Sequence, residues 1–149
     1  MNKFALVFLS GWLLLTSLLL AACSDEPVSP ESQLRAWLLQ MERAIEEKDL
    51  STIRQLVSDD YQDDAGNTKQ QAMLKLMALF KHYENIAISP SVTEIDVKEG
   101  FARLVVDTQF SQSTAFAELG LAGNTYQFVL LFSPDGDDWR LNQLSYQAK

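Results

Sequence analysis

The apolar residues of this chain change period once, near Asn85, and that change predicts helices first and strands afterwards. Upstream, Leu34, Trp37, Leu38, Met41, Ala44 and Ile45 recur at helical spacing and draw one apolar stripe, with Glu42, Arg43, Glu46 and Glu47 off it. Ser29-Pro30 reads as the start of that helix, because serine caps well and proline's fixed φ suits the first helical position. Asp49 can cap a second, short helix carrying Leu50, Ile53, Leu56 and Val57. A polar break at Ser58-Asp59-Asp60 follows, and Asn67-Thr68 opens a third helix in which Thr68 and Gln71 fit a capping box. Met73, Leu76, Met77, Phe80 and Tyr83 form its main face, with core packing as their expected role.

Downstream the pattern alternates. Val92 to Lys98 and Phe101 to Phe110 read as a hairpin around Glu99-Gly100. That loop pairs Ile95 with Leu104, Thr93 with Val106 and Val97 with Ala102, and sets Asp96 opposite Arg103 on the other face. Ser133-Pro134-Asp135-Gly136 signals a second turn, between arms Tyr126 to Phe132 and Trp139 to Tyr146. Between the hairpins, Ser111 to Asn124 carries Phe116, Leu119 and Leu121 among small residues and two glycines. It could be a lid, a partner contact or a bend folded onto the core, and the bend is favoured slightly because the segment is short.

The N-terminus carries an address. Lys3 supplies a positive n-region, Phe4 to Leu20 an apolar h-region, and Leu20-Ala21-Ala22-Cys23 ends it at the only cysteine of the chain. This arrangement resembles the lipobox of bacterial lipoproteins, which implies cleavage between Ala22 and Cys23 and lipid attachment, palmitate included, on Cys23. A membrane-spanning anchor of the same length is the rival. The acidic, helix-breaking Ser24-Asp25-Glu26-Pro27 argues against it, since a stop-transfer helix is normally followed by Lys or Arg. By the same resemblance, Ser24 after the lipidated cysteine points to the outer membrane of a two-membrane cell, with the domain facing the periplasm. The expected organisation is a signal peptide over 1–22, a lipidated tether over 23–29 and one domain over 30–149.

Charge narrows the partners. The chain has a formal net charge of −8, which becomes −9 when Lys3 leaves with the signal peptide. A surface of that sign argues against nucleic acid and against lying flat on anionic lipid, so the lipid on Cys23 is the expected membrane contact. A single domain of this size can bury a core without disulfides.

A long helix, a short helix, a polar turn, a third helix and a meander of strands resemble the nuclear transport factor 2-like (NTF2-like, SnoaL-like, cystatin-like) fold. The stretch from Ala44-Ile45-Glu46-Glu47-Lys48-Asp49-Leu50 through Leu56-Val57-Ser58-Asp59-Asp60-Tyr61 carries most of the likeness, which spans Ser29 to Tyr146. It implies an α+β cone: three N-terminal helices packed on a curved antiparallel sheet around an interior pocket. Many members also pair through the sheet, which implies a homodimer as one assembly. Trp37 and Met41 from the first helix, Tyr61 and Asp64 from the turn, and Trp139 from the last hairpin are the candidate pocket residues.

Such folds host enzymes as well as binding domains, so function must be argued from the site. By resemblance to ketosteroid isomerase-like members, Asp64 is the nearest match to a catalytic base, but the first helix has no tyrosine to stabilise an oxyanion. Asp107 could stand in for a partner acid, although the register sets it on the face opposite Leu104 and Val106. The lone His82, in a last helical turn, fits favourable charge at the helix C-terminus better than catalysis. One histidine and one lipid-committed cysteine do not build a zinc or copper site, and Asp59, Asp60, Asp63 and Asp64 lack the spacing of a calcium loop. No catalytic residue, metal or cofactor is therefore assigned. The expected function is non-catalytic: a membrane-anchored periplasmic module using its pocket for a small apolar ligand or its sheet for an envelope protein. The alternative is a small isomerase- or cyclase-like enzyme with Asp64 as base.

Overall fold

Local signals set the helices. In the computed structural model, which describes residues 28–110 and 125–149, helix α1 runs Pro30–Glu46. Ser29 caps it, its hydroxyl accepting from the Ser32 amide at 3.2 Å. Leu34, Trp37 and Ala44 are its buried stripe. Helix α2, Leu50–Leu56, starts at Asp49, whose carboxylate accepts from the Ser51 and Thr52 amides at 3.0 and 3.1 Å. Helix α3, Lys69–His82, opens on the expected pair, with the Thr68 amide donating to Gln71 Oε1 at 2.8 Å. The signal peptide, Cys23 and the segment Ser111 to Asn124 lie outside the described residues. Among the described residues, no helix is long and apolar enough to cross a membrane.

The first departure from expectation lies between α2 and α3. The polar break at Ser58-Asp59-Asp60 is part of a strand, β1, Val57–Asp63. Only Val57 and Tyr61 are buried in it, four residues apart rather than two, because a bulge interrupts its pairing between Val57 and Gln62. The remaining strands are β2 (Ile88–Lys98), β3 (Phe101–Phe110), β4 (Thr125–Asp135) and β5 (Asp138–Ala148). Their order in the sheet is β1-β5-β4-β3-β2, antiparallel throughout except that β1 runs parallel to β5. The fold is thus α+β with a five-stranded, mostly antiparallel sheet, and one strand is interleaved among the helices.

Both hairpins form, with adjusted registers. Ile95 pairs with Leu104, Asp96 with Arg103 and Val97 with Ala102, as the Glu99-Gly100 loop requires, and Gly100 takes φ +72°. Val106, however, faces Val92 rather than Thr93. Thr93 is the extra residue of a bulge, and its hydroxyl donates to the Val105 carbonyl at 3.2 Å. In the second hairpin the turn sits beyond the expected one: Pro134 pairs with Trp139 and Asp135 with Asp138, which leaves Gly136-Asp137 as the loop. Gly136, at φ +64°, supplies the left-handed conformation such a short loop demands. A third bulge, between Leu131 and Phe132, adds curvature. Pro90 is tolerated in β2 because that strand is an edge.

Helices and the concave sheet face share one core, in which Leu34, Ile53, Leu79, Leu104, Val106 and Phe132 are almost fully buried. Long-range side-chain hydrogen bonds fasten the layers. The Trp37 indole donates to the Leu56 carbonyl (3.2 Å), the Lys69 ammonium to the Val57 carbonyl (2.8 Å), and the Trp139 indole to Gln33 Oε1 (3.0 Å). Lys48, in the left-handed region at φ +60°, sends its ammonium to the carbonyls of Phe80, at 3.1 Å, and Tyr83, where α3 ends.

Candidate functional site: an apolar cavity

Period and curvature together build the site. Residues Val106, Thr108 and Phe110 of β3 and Phe128 and Leu130 of β4 alternate onto the concave face, and Leu141 and Leu144 join them from β5. Over that face lie Trp37, Leu38, Met41, Glu42 and Ile45 of α1 and Ala72, Met73 and Leu76 of α3. Ile53, Val57, Tyr61, Ile88 and Pro90 complete the wall of a cavity of about 210 Å³. Trp37 is held in place by its bond to Leu56 and by edge-on packing against Phe132, with ring centroids 4.8 Å apart at 85°.

Among the described residues, and apart from the Trp37 indole, whose N–H is already engaged, the polar residues that line the wall are Glu42, Tyr61 and Thr108. Burial, then the charge of Glu46 one turn away, raises the Glu42 carboxyl above its usual range. Burial likewise pushes the Tyr61 phenol up, reinforced by Asp63, Tyr146 and Asp64. Tyr61 therefore stays a neutral hydroxyl, able to donate or accept a hydrogen bond and unsuited to act as a base. Tyr146 is raised in the same way, by burial first and then by Asp63 and Asp64. It belongs to an aromatic cluster with Tyr126 and Phe128, and Phe110 packs edge-on against those two.

Of the five residues expected at the pocket, Trp37, Met41 and Tyr61 line this cavity. Asp64 does not. Because β1 continues to Asp63, Asp64 is the first residue past the strand; its amide donates to the Leu144 carbonyl at 3.1 Å and the residue itself is exposed. Trp139 is also elsewhere, beside Gln33, Trp37, Asp138 and Arg140 in a second, more polar groove at the start of α1. Asp107 lies on the convex face, hydrogen-bonded to Gln127 at 3.2 Å and ion-paired with Lys149. Asp59 pairs with Lys69 at 2.8 Å, and Asp63 folds its carboxylate onto the amides of Ala65 and Asn67. Among the described residues, no group of three or more His, Cys, Asp or Glu is placed to hold a metal ion.

Glu42 lies off the apolar stripe of α1 when the stripe is drawn by polarity. Its spacing says otherwise: it follows Leu38 by four residues and precedes Ile45 by three, which puts it on the flank those two share.

No protein-family model and no curated protein matches the sequence. Solved structures do match the fold. Bd1075 of Bdellovibrio bacteriovorus superposes with a TM-score of 0.65 at 11% identity over 78% of this chain, which spans only 39% of that one. An NTF2-like protein from Cytophaga hutchinsonii gives 0.61 at 14% identity, covering 81% of this chain and 99% of its own. An NTF2-like protein of unknown function from Shewanella oneidensis gives 0.60 at 17% identity, with 80% and 100% covered. At these identities the likeness speaks to architecture alone, and the architecture is NTF2-like, in the cystatin-like group of folds.

Proposed function

We propose that this chain is a lipid-anchored periplasmic binding protein, held to the outer membrane through Cys23 and taking a small apolar molecule into its NTF2-like cavity. The observation that carries the binding reading is the cavity itself, a concave space walled almost wholly by carbon, as apolar ligand sites are. Its volume, about 210 Å³, is below the roughly 300–1,000 Å³ of pockets for drug-sized molecules, which favours a ligand of about one ring or a short chain. The anchoring reading rests on the lipobox-like Leu20-Ala21-Ala22-Cys23. The isomerase- or cyclase-like alternative has less support, because Asp64, its base, is exposed and outside the cavity wall.

Native mass spectrometry of the chain purified from a membrane extract tests both halves. The expected spectrum has a lipid mass on Cys23 and a small adduct lost on denaturation. An unmodified Cys23 would remove the anchor, and an empty protein that also fails to take up small aromatic probes would remove the pocket reading. The same spectrum reads whether two copies pair.

A further inference from the structure

We propose that the cavity takes the end of an unbranched hydrocarbon chain, inserted tail first with the polar head left in water at the mouth. This rests on the pocket reading above and decides between its two shapes of ligand, the ring and the short chain. The wall is carbon almost throughout: even Glu42, Tyr61 and Thr108 meet the cavity with carbon rather than oxygen. Nor is the cavity sealed. Helix α1 packs on α2 and β2, and α3 on α2 and β1, but α1 and α3 do not pack closely on each other. Leu38, Met41 and Ile45 of α1 and Ala72 and Leu76 of α3, which line the cavity, are only partly buried. The mouth lies along that seam. Size sets the length of the occupant. At about 30 Å³ for a group as large as a water molecule or a methylene, the volume of about 210 Å³ holds about seven carbons.

The shape follows from where a polar group can go. A carbon-walled space offers a hydroxyl, amine or carboxylate no partner, so a group carried inside loses its water without compensation. The occupant must fill the cavity with carbon and keep its functional group outside. A functionalised ring holds its polar group within a bond or two of the carbon it must bury. A chain separates the two by its whole length, and it is only one methylene wide where it passes between the helices. The supply is close at hand. Between Cys23 and Ser29 the backbone spans about 20 Å at most, so a domain anchored at Cys23 stays beside a bilayer built of such chains.

The test uses the full chain in phosphatidylcholine nanodiscs, with methionine methyl groups labelled for NMR. Met41 and Met73 line the cavity, and Met77, exposed and outside the wall, is the control. The probes are the 1-alkanols from butanol to decanol, 4-heptanol, 1,7-heptanediol and toluene, each titrated against its free concentration in water. Affinity read at Met41 and Met73 should rise about fourfold per methylene up to about seven carbons and then level off. Both 4-heptanol and 1,7-heptanediol must bring a hydroxyl inside, so each should bind at least about tenfold more weakly than 1-heptanol. Ala72→Leu adds about three carbons to the wall and should move the plateau down to about four-carbon chains. The proposal is overturned by an affinity that does not rise from butanol to heptanol, or that keeps rising unchanged to decanol. It is overturned equally by 4-heptanol binding as tightly as 1-heptanol. In each case toluene that still moves Met41 and Met73 leaves the pocket reading standing. If no probe moves those methyl groups, both fall. The wild-type series decides even where Ala72→Leu folds poorly. Overhauser contacts from the same methyl groups to the acyl chains of the disc mark bilayer lipid as the source of the chain. Binding of 1-heptanol without such contacts marks a free single-chain amphiphile, and the proposal holds in both cases.

Discussion

Lys48 closes the end of α3 from a distance, and removing its charge tests how far the helical layer depends on that closure. The helix ends at His82, its last carbonyls have no helical partners, and the Lys48 ammonium donates to those of Phe80 and Tyr83. Lys48→Met keeps most of the aliphatic stem and deletes the donor. A hydrogen bond to a charged group contributes about 1.5–3 kcal/mol, and a cation at a helix C-terminus adds about 0.3–1 kcal/mol. Both bonds are only partly buried, so water can replace part of what is lost. The net cost is then about 2–3 kcal/mol. With a urea dependence of about 2 kcal/mol per molar, the unfolding midpoint of the piece from Ser24 onward should fall by about 1–1.5 M. The backbone supplies a control. Lys48 sits at φ +60°, where a side chain costs about 1–2 kcal/mol, part of which glycine's extra freedom in the unfolded chain takes back. Lys48→Gly should therefore be less damaging than Lys48→Met, by about 0.5–1 kcal/mol. A Met variant within about 0.5 kcal/mol of wild type, or a Gly variant as stable as wild type, would show that the ammonium does not hold the two helices together.

Tyr126 is 3% exposed, and its hydroxyl has no hydrogen-bond partner among the described residues. Tyr126→Phe should be neutral or stabilising by up to about 1 kcal/mol, and a loss above about 1 kcal/mol in urea unfolding would mean the hydroxyl is satisfied. Asp49→Ala should lower the urea midpoint through loss of the α2 cap, read by the same unfolding curve. The Thr52 hydroxyl and amide hold the Asp49 carboxyl below its usual range, so that stability is present above pH 3.8 and lost as pH falls; a cost independent of pH through the acid range would contradict the cap. Glu42 runs the opposite way. Its raised carboxyl makes the folded chain bind more protons than the unfolded one, so its contribution to stability declines as pH rises above 4.5. Without ligand, Glu42→Gln should be the more stable protein at pH 7, with the advantage shrinking toward pH 4.5; equal stability at both would show that Glu42 is not desolvated.

What could be read from the chain in advance was what local rules control. Ser29, Asp49 and Thr68 each open the helix expected of them, because a cap needs only the next three residues. Alternation around Glu99-Gly100 gave the β2–β3 register at three pairs out of four, and the fourth slipped because a bulge at Thr93 leaves no mark in a polarity pattern. Strand β1 was hidden for a stronger reason. Four of its seven residues are Ser58, Asp59, Asp60 and Asp63, and their extended form comes from pairing with β5 at the far end of the chain. Misreading that strand as a turn also misplaced Asp64, which needed the turn to reach the cavity. Glu42 was hidden by its own charge, since a hydropathy stripe discards a charged residue even where it joins an apolar wall.

The parallel pairing of β1 with β5 has a consequence for when the protein becomes itself. Val57 pairs with Leu141, and Tyr61 lines the same cavity as Leu141 and Leu144. Everything from α1 through β4 can exist while that cavity still lacks a wall. The closing contact joins residues remote in sequence, so it carries a large loop entropy and belongs to the late events of folding. Loss of β5 would release β1 as well, and with it the strand that carries Tyr61. A chain in which β1 has not yet paired with β5 thus has helices and hairpins but no closed cavity.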